Sequence, residues 1–317
     1  MIKEVLIGIL LVLLLAGCDD SENITPSMAD TDRLNELLGT GHPALVDFKN
    51  GYGTYVLHRF DKLLDFAYQF EAATSWRNAQ LTFLDEAEVD GAWKFLYEHF
   101  VSCYRDTVRI DGRDTITNFK KELFPLKFLI CSEIASNGEL GISIAANGKH
   151  WATASQNSFT VAGLSAKRLE QLTEEESIAY VRQIHYIFLA GYVVNARREL
   201  LVSDDFLETG SKLYGMQIDK EIKEDEEAFE RYCMNQGFFP VYNTNGEKGD
   251  YFPQALEDIA VFLQKIIMMD GDDLEKINKY SPVRNKANVL VKALMEMGVD
   301  VERINPVMME LVKESIY

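Results

Sequence analysis

The sequence predicts an α+β fold, with a small mixed sheet among helices in the first half and a mostly helical second half. Three observations carry this. "FPLKFLICSEI", residues 124 to 134, has the length and apolar character of a buried strand. Asn147-Gly148 lies between two strand-like runs in "GISIAANGKHWATAS", the strongest short-range hairpin signal. From Thr173 onward the signals are helix caps and apolar periodicity. Strands first and helices second is the α+β order.

The elements follow from the start. Val5 to Gly17 is an unbroken run of Leu, Ile, Val, Ala and Gly. It is too short to span a bilayer and has the length of a signal-peptide core. It ends in Leu15-Ala16-Gly17-Cys18, a lipobox, so residues 1–17 are expected to be removed and Cys18 lipidated. Asp19-Asp20-Ser21-Glu22-Asn23 then opens an acidic, loosely ordered tether over 18–40. Residues 41–317 read as one domain, a sheet-containing lobe to about 195 and a helical lobe over 196–317.

Within the first lobe, Gly51 to Phe70 places Leu57, Phe60, Leu64 and Tyr68 at helical spacing. Val89 to Tyr104 does the same with Trp93, Leu96, Tyr97 and Phe100. Thr173-Glu174-Glu175-Glu176 is a capping box that starts a helix running to about Val194. The acidic run Glu221 to Glu230 reads as a solvated helix face, and Leu256 to Met269 as an apolar helix. Ser281-Pro282 opens a further helix that Gly298 ends, and Asn305-Pro306 opens the last.

Composition bounds the function. With 47% hydrophobic residues, 18 Phe and 14 Tyr, the chain can bury a large core. A net charge of −18 argues against nucleic acid and against anionic headgroups, so membrane attachment falls to the lipid. Cys103, Cys131 and Cys233 form no C-x-x-C pair and read as buried thiols. Trp76, Trp93 and Trp151 read as core before they read as sugar-stacking surfaces. Asp270-Gly271-Asp272-Asp273 lacks the alternating oxygens of a calcium loop and reads as a turn between helices.

"RQIHYIFLAGY", Arg182 to Tyr192, raises the question of chemistry. H-E-x-x-H on a helix aims two imidazoles at one Zn²⁺ and sets a Glu beside the metal-bound water. Here the stretch is His185-Tyr186-Ile187-Phe188-Leu189. Tyr186 stands at the general-base position and Leu189 at the second ligand. Taken alone, His185 reads as a hydrogen-bonded core residue. His42, His58, His99 and His150 are scattered and form no H-x-H or H-x₃-H pair, so no other segment supplies a His-rich site.

The order of motifs resembles a family. The lipobox with its acidic follow-on, "LFPLKFLI" (123–130), "LGISIAANGKHW", the His185 helix, "QGFFPVY" (236–242), "LEDIAVFL" (256–263) and "NKANVLVKALMEMGVDVERI" follow one another as in the zinc-binding metallopeptidases of Bacteroidetes, also described as substrate-import-associated zinc metallohydrolase lipoproteins. The match runs from about Phe48 to the end. It implies a zincin-like fold. His185 matches the first metal ligand, and Glu257-Asp258 matches the pair that brings the third, with Glu257 the preferred one. Tyr186, Leu189 and Val261 depart from the pattern.

The resemblance therefore implies a degenerate member, a catalytically inactive lipoprotein at the outer-membrane surface. Its partners would be a TonB-dependent transporter and its substrate-binding lipoprotein, and it would either bind a peptide or glycan or scaffold the import complex. No cofactor is expected unless His185 and Glu257 still hold zinc. The alternative is an active metal-dependent hydrolase that uses His185, Glu257 and Asp258 as unusual ligands.

Overall fold

The computed structural model describes residues 28–66, 79–110, 112–136, 139–140, 151–194, 203–242 and 246–313. The Asn147-Gly148 hairpin, Trp76, the signal segment and Cys18 lie outside the described residues. The chain divides into two units, Met1–Leu37 and Leu38–Tyr317. Helix α1 (Met28–Leu38), all but its last residue in the first unit, forms where composition predicts loose order.

The second unit opens with α2 (Pro43–Tyr52). Pro43 sits in its first turn, where a missing N–H costs nothing, and Gly53 ends it at φ 82°. Strand β1 (Tyr55–Leu57) follows, then a wide π turn over Lys62–Phe66. The helical spacing read over Gly51 to Phe70 is thus corrected as far as residue 66, and Tyr68 lies outside the described residues. Gly53 turns the chain out of the helix, and aromatic and β-branched Tyr55 and Val56 pair into a sheet instead. After β2 (Gln80–Thr82) and a 3₁₀ turn over Glu86–Glu88 comes α3 (Val89–His99). A hairpin of β3 (Thr107–Ile110) and β4 (Arg113–Ile116) leads to the short α4 (Phe119–Leu123).

The run read as one buried strand over 124–134 is two. Strand β5 (Lys127–Ile130) and strand β6 (Glu133–Ser136) belong to different sheets, with the chain switching sheets at Cys131-Ser132. Strand β6 lies between β2 and the two-residue β7 (Glu139–Leu140). With β8 (Ala152–Ala154) and β9 (Ser158–Val161), β5 builds the main sheet, in the order β1-β5-β9-β8. β1 and β9 flank β5 in parallel, in a register that aligns Val56, Phe128 and Phe159. β8 closes the sheet antiparallel. A central parallel strand is buried on both faces, which is why Lys127-Phe128-Leu129-Ile130 is apolar nearly throughout. Lys127 escapes the penalty by pairing with the buried Asp65 carboxylate at 3.0 Å.

Helix α5 (Ala166–Gln171) precedes α6 (Glu174–Tyr186). The Thr173 capping box is present: Glu176 N–H donates to Thr173 Oγ1, and Thr173 N–H donates to the Glu176 carboxylate. The helix then widens into a π segment, Ile187–Val193. It runs against β8, where a Cβ on Gly191 would sit 3.4 Å from that of Ala154. The core between helix and sheet is aromatic, with Phe100, Tyr104, Phe124, Phe128, Phe159 and Phe188 in mutual ring contact.

The rest is helical: α7 (Asp204–Glu208), α8 (Glu226–Asn235), α9 (Ala255–Met268), α10 (Gly271–Asn278), α11 (Ser281–Met297) and α12 (Val301–Ile304). The acidic run divides into a 3₁₀ turn over Glu221–Glu224 and α8, because Asp225 caps Ala228 N–H and starts the helix afresh. Asp270 caps α10 in the same way, which makes Asp270 to Asp273 a helix-to-helix turn. Gly298 ends α11 at φ 104°, and Asn305 caps a final 3₁₀ turn over Pro306–Leu311. The molecule is α+β as expected.

Candidate functional site

The sequence directs attention to His185, in the last turn of α6. Its ring is fully buried against Phe100 and Tyr104, with centroids 5.0 and 5.6 Å away. Nε2 lies 3.1 Å from the carbonyl oxygen of His99, which can only accept, so Nε2 carries the proton. Nδ1 is then the acceptor for Tyr104 Oη–H at 2.9 Å. Burial pushes the pKa of His185 down to about 3, outweighing the carbonyl that favours the charged form. Both nitrogens are therefore spent inside the core.

The other residues of that set stand apart from His185. Glu257 is exposed on the first turn of α9, where its carboxylate accepts from Gln254 N–H and completes a capping box. Asp258, the second of the pair, is the buried one. It accepts from Tyr214 Oη–H at 2.9 Å and is ion-paired with Lys286. Tyr186 keeps its phenol protonated because burial raises its pKa, and Leu189 is buried. Among the described residues, no group of three potential metal ligands contains His185, Glu257 or Asp258. A tightly held zinc ion needs three protein ligands with free lone pairs, so this set does not fit one.

The described residues do hold one such group elsewhere: His42, His58 and Glu86, whose donor atoms lie within 4.8 Å of one another. Three neighbouring turns build it. His42 precedes the first turn of α2, where Pro43 fixes the helix entry. His58 follows β1 directly. Glu86 opens the 3₁₀ turn ahead of α3, and Asp90 comes four residues later, one helical turn on. The Glu86 carboxylate straddles both imidazoles, Oε1 at 2.9 Å from His42 Nε2 and Oε2 at 3.2 Å from His58 Nε2. Asp90 takes His42 Nδ1 at 2.8 Å. The two rings meet edge to face, with centroids 5.0 Å apart.

Electrostatics differ between the two histidines. Burial disfavours the charged form of His42, but the hydrogen bonds and charges of Asp90 and Glu86 prevail and raise its pKa. His58 is lowered, because burial outweighs Glu86 and the neighbouring His42 adds to it. The hydrogen bond from His42 and the charge of His58 hold Glu86 below the usual carboxylate range. His58 Nδ1 is buried with no partner, so what sits at Nε2 decides its tautomer. The imidazoles are buried and the Glu86 side chain is 68% exposed, which leaves the group open to water on the carboxylate side.

Sequence reading dismissed these histidines as scattered. Two histidines 16 residues apart around a helix and a strand carry no fixed spacing, and it is the packing of α2 on β1 that brings them together. The Glu86 and Asp90 separation is the one local signal, and alone it is an ordinary acidic first turn.

Beside the group, α2 and α3 enclose a mainly apolar cleft of about 680 Å³ lined by Phe48, Tyr52, Trp93 and Tyr97, with Asp47 and Asp90 among its polar groups. Trp93 is buried and packs on Phe48 at 4.9 Å, while Tyr97 is 42% exposed. Cys103, Cys131 and Cys233 are buried, free thiols, with burial raising the pKa of each. No helix among the described residues is long and apolar enough to cross a membrane. Comparison with family models, with curated proteins and with solved structures finds no match.

Proposed function

We propose that this chain is a lipid-anchored, zincin-like surface protein that binds a glycan and does not cleave it. The observation behind the non-catalytic reading is that His185 spends both ring nitrogens on Tyr104 and the His99 carbonyl. On this reading the helix is a degenerate H-E-x-x-H whose positions His185 and Leu189 are buried in the core. The lipobox ending in Cys18, and the resemblance it forms part of, support a place at the outer membrane beside a TonB-dependent importer and its substrate-binding lipoprotein.

The α2–α3 cleft is the surface for the ligand. A sugar ring presents an apolar face to an aromatic side chain and hydroxyl donors at its edge. Tyr97 and Tyr52 offer the rings, and the Asp47 and Asp90 carboxylates are acceptors for hydroxyls. A peptide would use the same apolar floor with less need of the carboxylates.

Titration of the full chain in detergent with neutral oligosaccharides, read by tryptophan fluorescence, tests this. We expect saturable binding that weakens about tenfold or more in Tyr97→Ala, on the order of one lost ring contact and its ordering. Binding of peptides alone would replace the ligand class. Chelator-sensitive hydrolysis that disappears in Glu257→Ala would instead establish the hydrolase alternative.

A further inference from the structure

We propose that His42, His58 and Glu86 form a binding site for a divalent transition-metal ion of the zinc type, with Asp90 as the orienting carboxylate. This site is separate from the His185 helix and does not require a glycan in the neighbouring cleft, with which it shares Asp90.

The donor set is the first argument. Two imidazole nitrogens and one carboxylate are ligands that zinc accepts in three-ligand sites, and they suit zinc better than calcium or magnesium, which prefer all-oxygen shells. Both histidines present the same atom, Nε2, toward one carboxylate. The Glu86 carboxylate bridges the two Nε2 atoms, and its side chain is 68% exposed. The carboxylate oxygens can only accept, so both Nε2 atoms carry protons in this arrangement; an incoming ion would displace them and take the two nitrogens and a carboxylate oxygen as ligands.

The second argument is Asp90. Metal-bound imidazoles characteristically give their other N–H to a carboxylate, which fixes the tautomer and makes the ligating nitrogen more basic. Asp90 lies 2.8 Å from Nδ1 of His42, on the far side of the ring from Glu86. Carboxylates face both nitrogens of His42, so it stands as the imidazolium; with Nδ1–H held by Asp90, a bound ion would take the place of the Nε2 proton. A simple surface ion pair has no need of this second carboxylate. The third argument is access combined with rigidity. The rings are buried and so cost little further ordering on binding, while the Glu86 side provides an entry path from solvent.

The site would have a structural consequence. Its ligands come from the entry of α2, the end of β1 and the turn before α3, so one ion would tie together the elements that frame the aromatic cleft. Asp90 belongs to both, lining the cleft and holding His42. Metal occupancy and cleft geometry are thereby linked.

The test is metal binding by the full chain in detergent after exhaustive chelation and dialysis, titrated with Zn²⁺ by calorimetry and with Co²⁺ by visible absorption. The expected result is one ion per chain, Co²⁺ bands of tetrahedral strength, and a melting temperature that rises with added Zn²⁺. Glu86→Ala leaves the buried core untouched and should weaken binding at least tenfold; His58→Gln should do the same. Asp90→Asn should weaken it about 10- to 100-fold, the cost usual for an outer carboxylate. His185→Gln should leave stoichiometry and affinity unchanged. Absence of a one-to-one Zn²⁺ site, or a site whose affinity is indifferent to Glu86→Ala and His58→Gln, overturns the proposal. Loss of the site in His185→Gln while Glu86→Ala retains it would move the metal to the helix and overturn it equally.

Discussion

At the scale of single residues, His185 shows how chemistry read from a motif can end as structure. A histidine in an apolar helix reads as core, and the fold confirms the burial together with two named partners, Tyr104 and the His99 carbonyl. The partners themselves were not legible, because Tyr104 is 81 residues away in sequence. A pH dependence follows. The ordinary value of 6.5 is lowered to about 3 in the fold, so as pH falls the unfolded chain takes up a proton that the native chain refuses. The contribution to stability is complete above about 6.5 and is lost on acidification, at about 1.4 kcal/mol per pH unit between the two values. Urea unfolding at pH 7.5, 6 and 5 measures it. His185→Gln should lower stability at neutral pH by about 1–3 kcal/mol, since it disturbs a satisfied buried network. It should also flatten the acid slope relative to the native protein. Parallel slopes for both proteins would show that His185 is not the titrating group.

At the scale of elements, local chemistry written in adjacent residues was legible and pairing between distant ones was not. The Thr173 box, the Ser281-Pro282 start and the Gly298 stop act within four residues, and each marks a real boundary. The Leu57, Phe60, Leu64 spacing misled, because an apolar residue every third or fourth position fits a buried strand followed by a turn as well as a helix. Within the helical half the tie that matters most is equally non-local. Lys286 on α11 is fully buried, ion-paired to Asp258 on α9, and its ammonium lies 4.4 Å from the Phe238 ring centroid and 4.5 Å from that of Phe206. Burial raises Asp258 and lowers Lys286, and their pairing opposes both shifts. Removing one member strands the other. Lys286→Met should cost about 3–5 kcal/mol, while Lys286→Met combined with Asp258→Leu should recover most of that. Urea midpoints of the two single variants and the double variant decide this. A double variant as unstable as the sum of the singles would mean that the pair is not coupled.

At the scale of the whole molecule, net charge and anchor must be considered together. A chain carrying 50 acidic against 32 basic side chains is repelled by anionic headgroups, and the repulsion strengthens as salt is lowered. The net charge therefore argues against an electrostatic hold on a bilayer, and no helix among the described residues is long and apolar enough to span one. If the chain is membrane-bound, the acyl chains on Cys18 carry the whole of the attachment. Burial of each methylene contributes about 0.8 kcal/mol, so two or more chains make the attachment stable and one leaves it marginal. Cys18→Ser should accordingly release the protein from the membrane fraction completely, and to the same extent in low and high salt. Incomplete release that high salt then finishes would reveal a basic contact that the composition argues against. Incomplete release indifferent to salt would point to an apolar contact from residues preceding Cys18, an uncleaved leader acting as the anchor. The same fractionation with Glu86→Ala should show no change, because that variant leaves Cys18 unaltered.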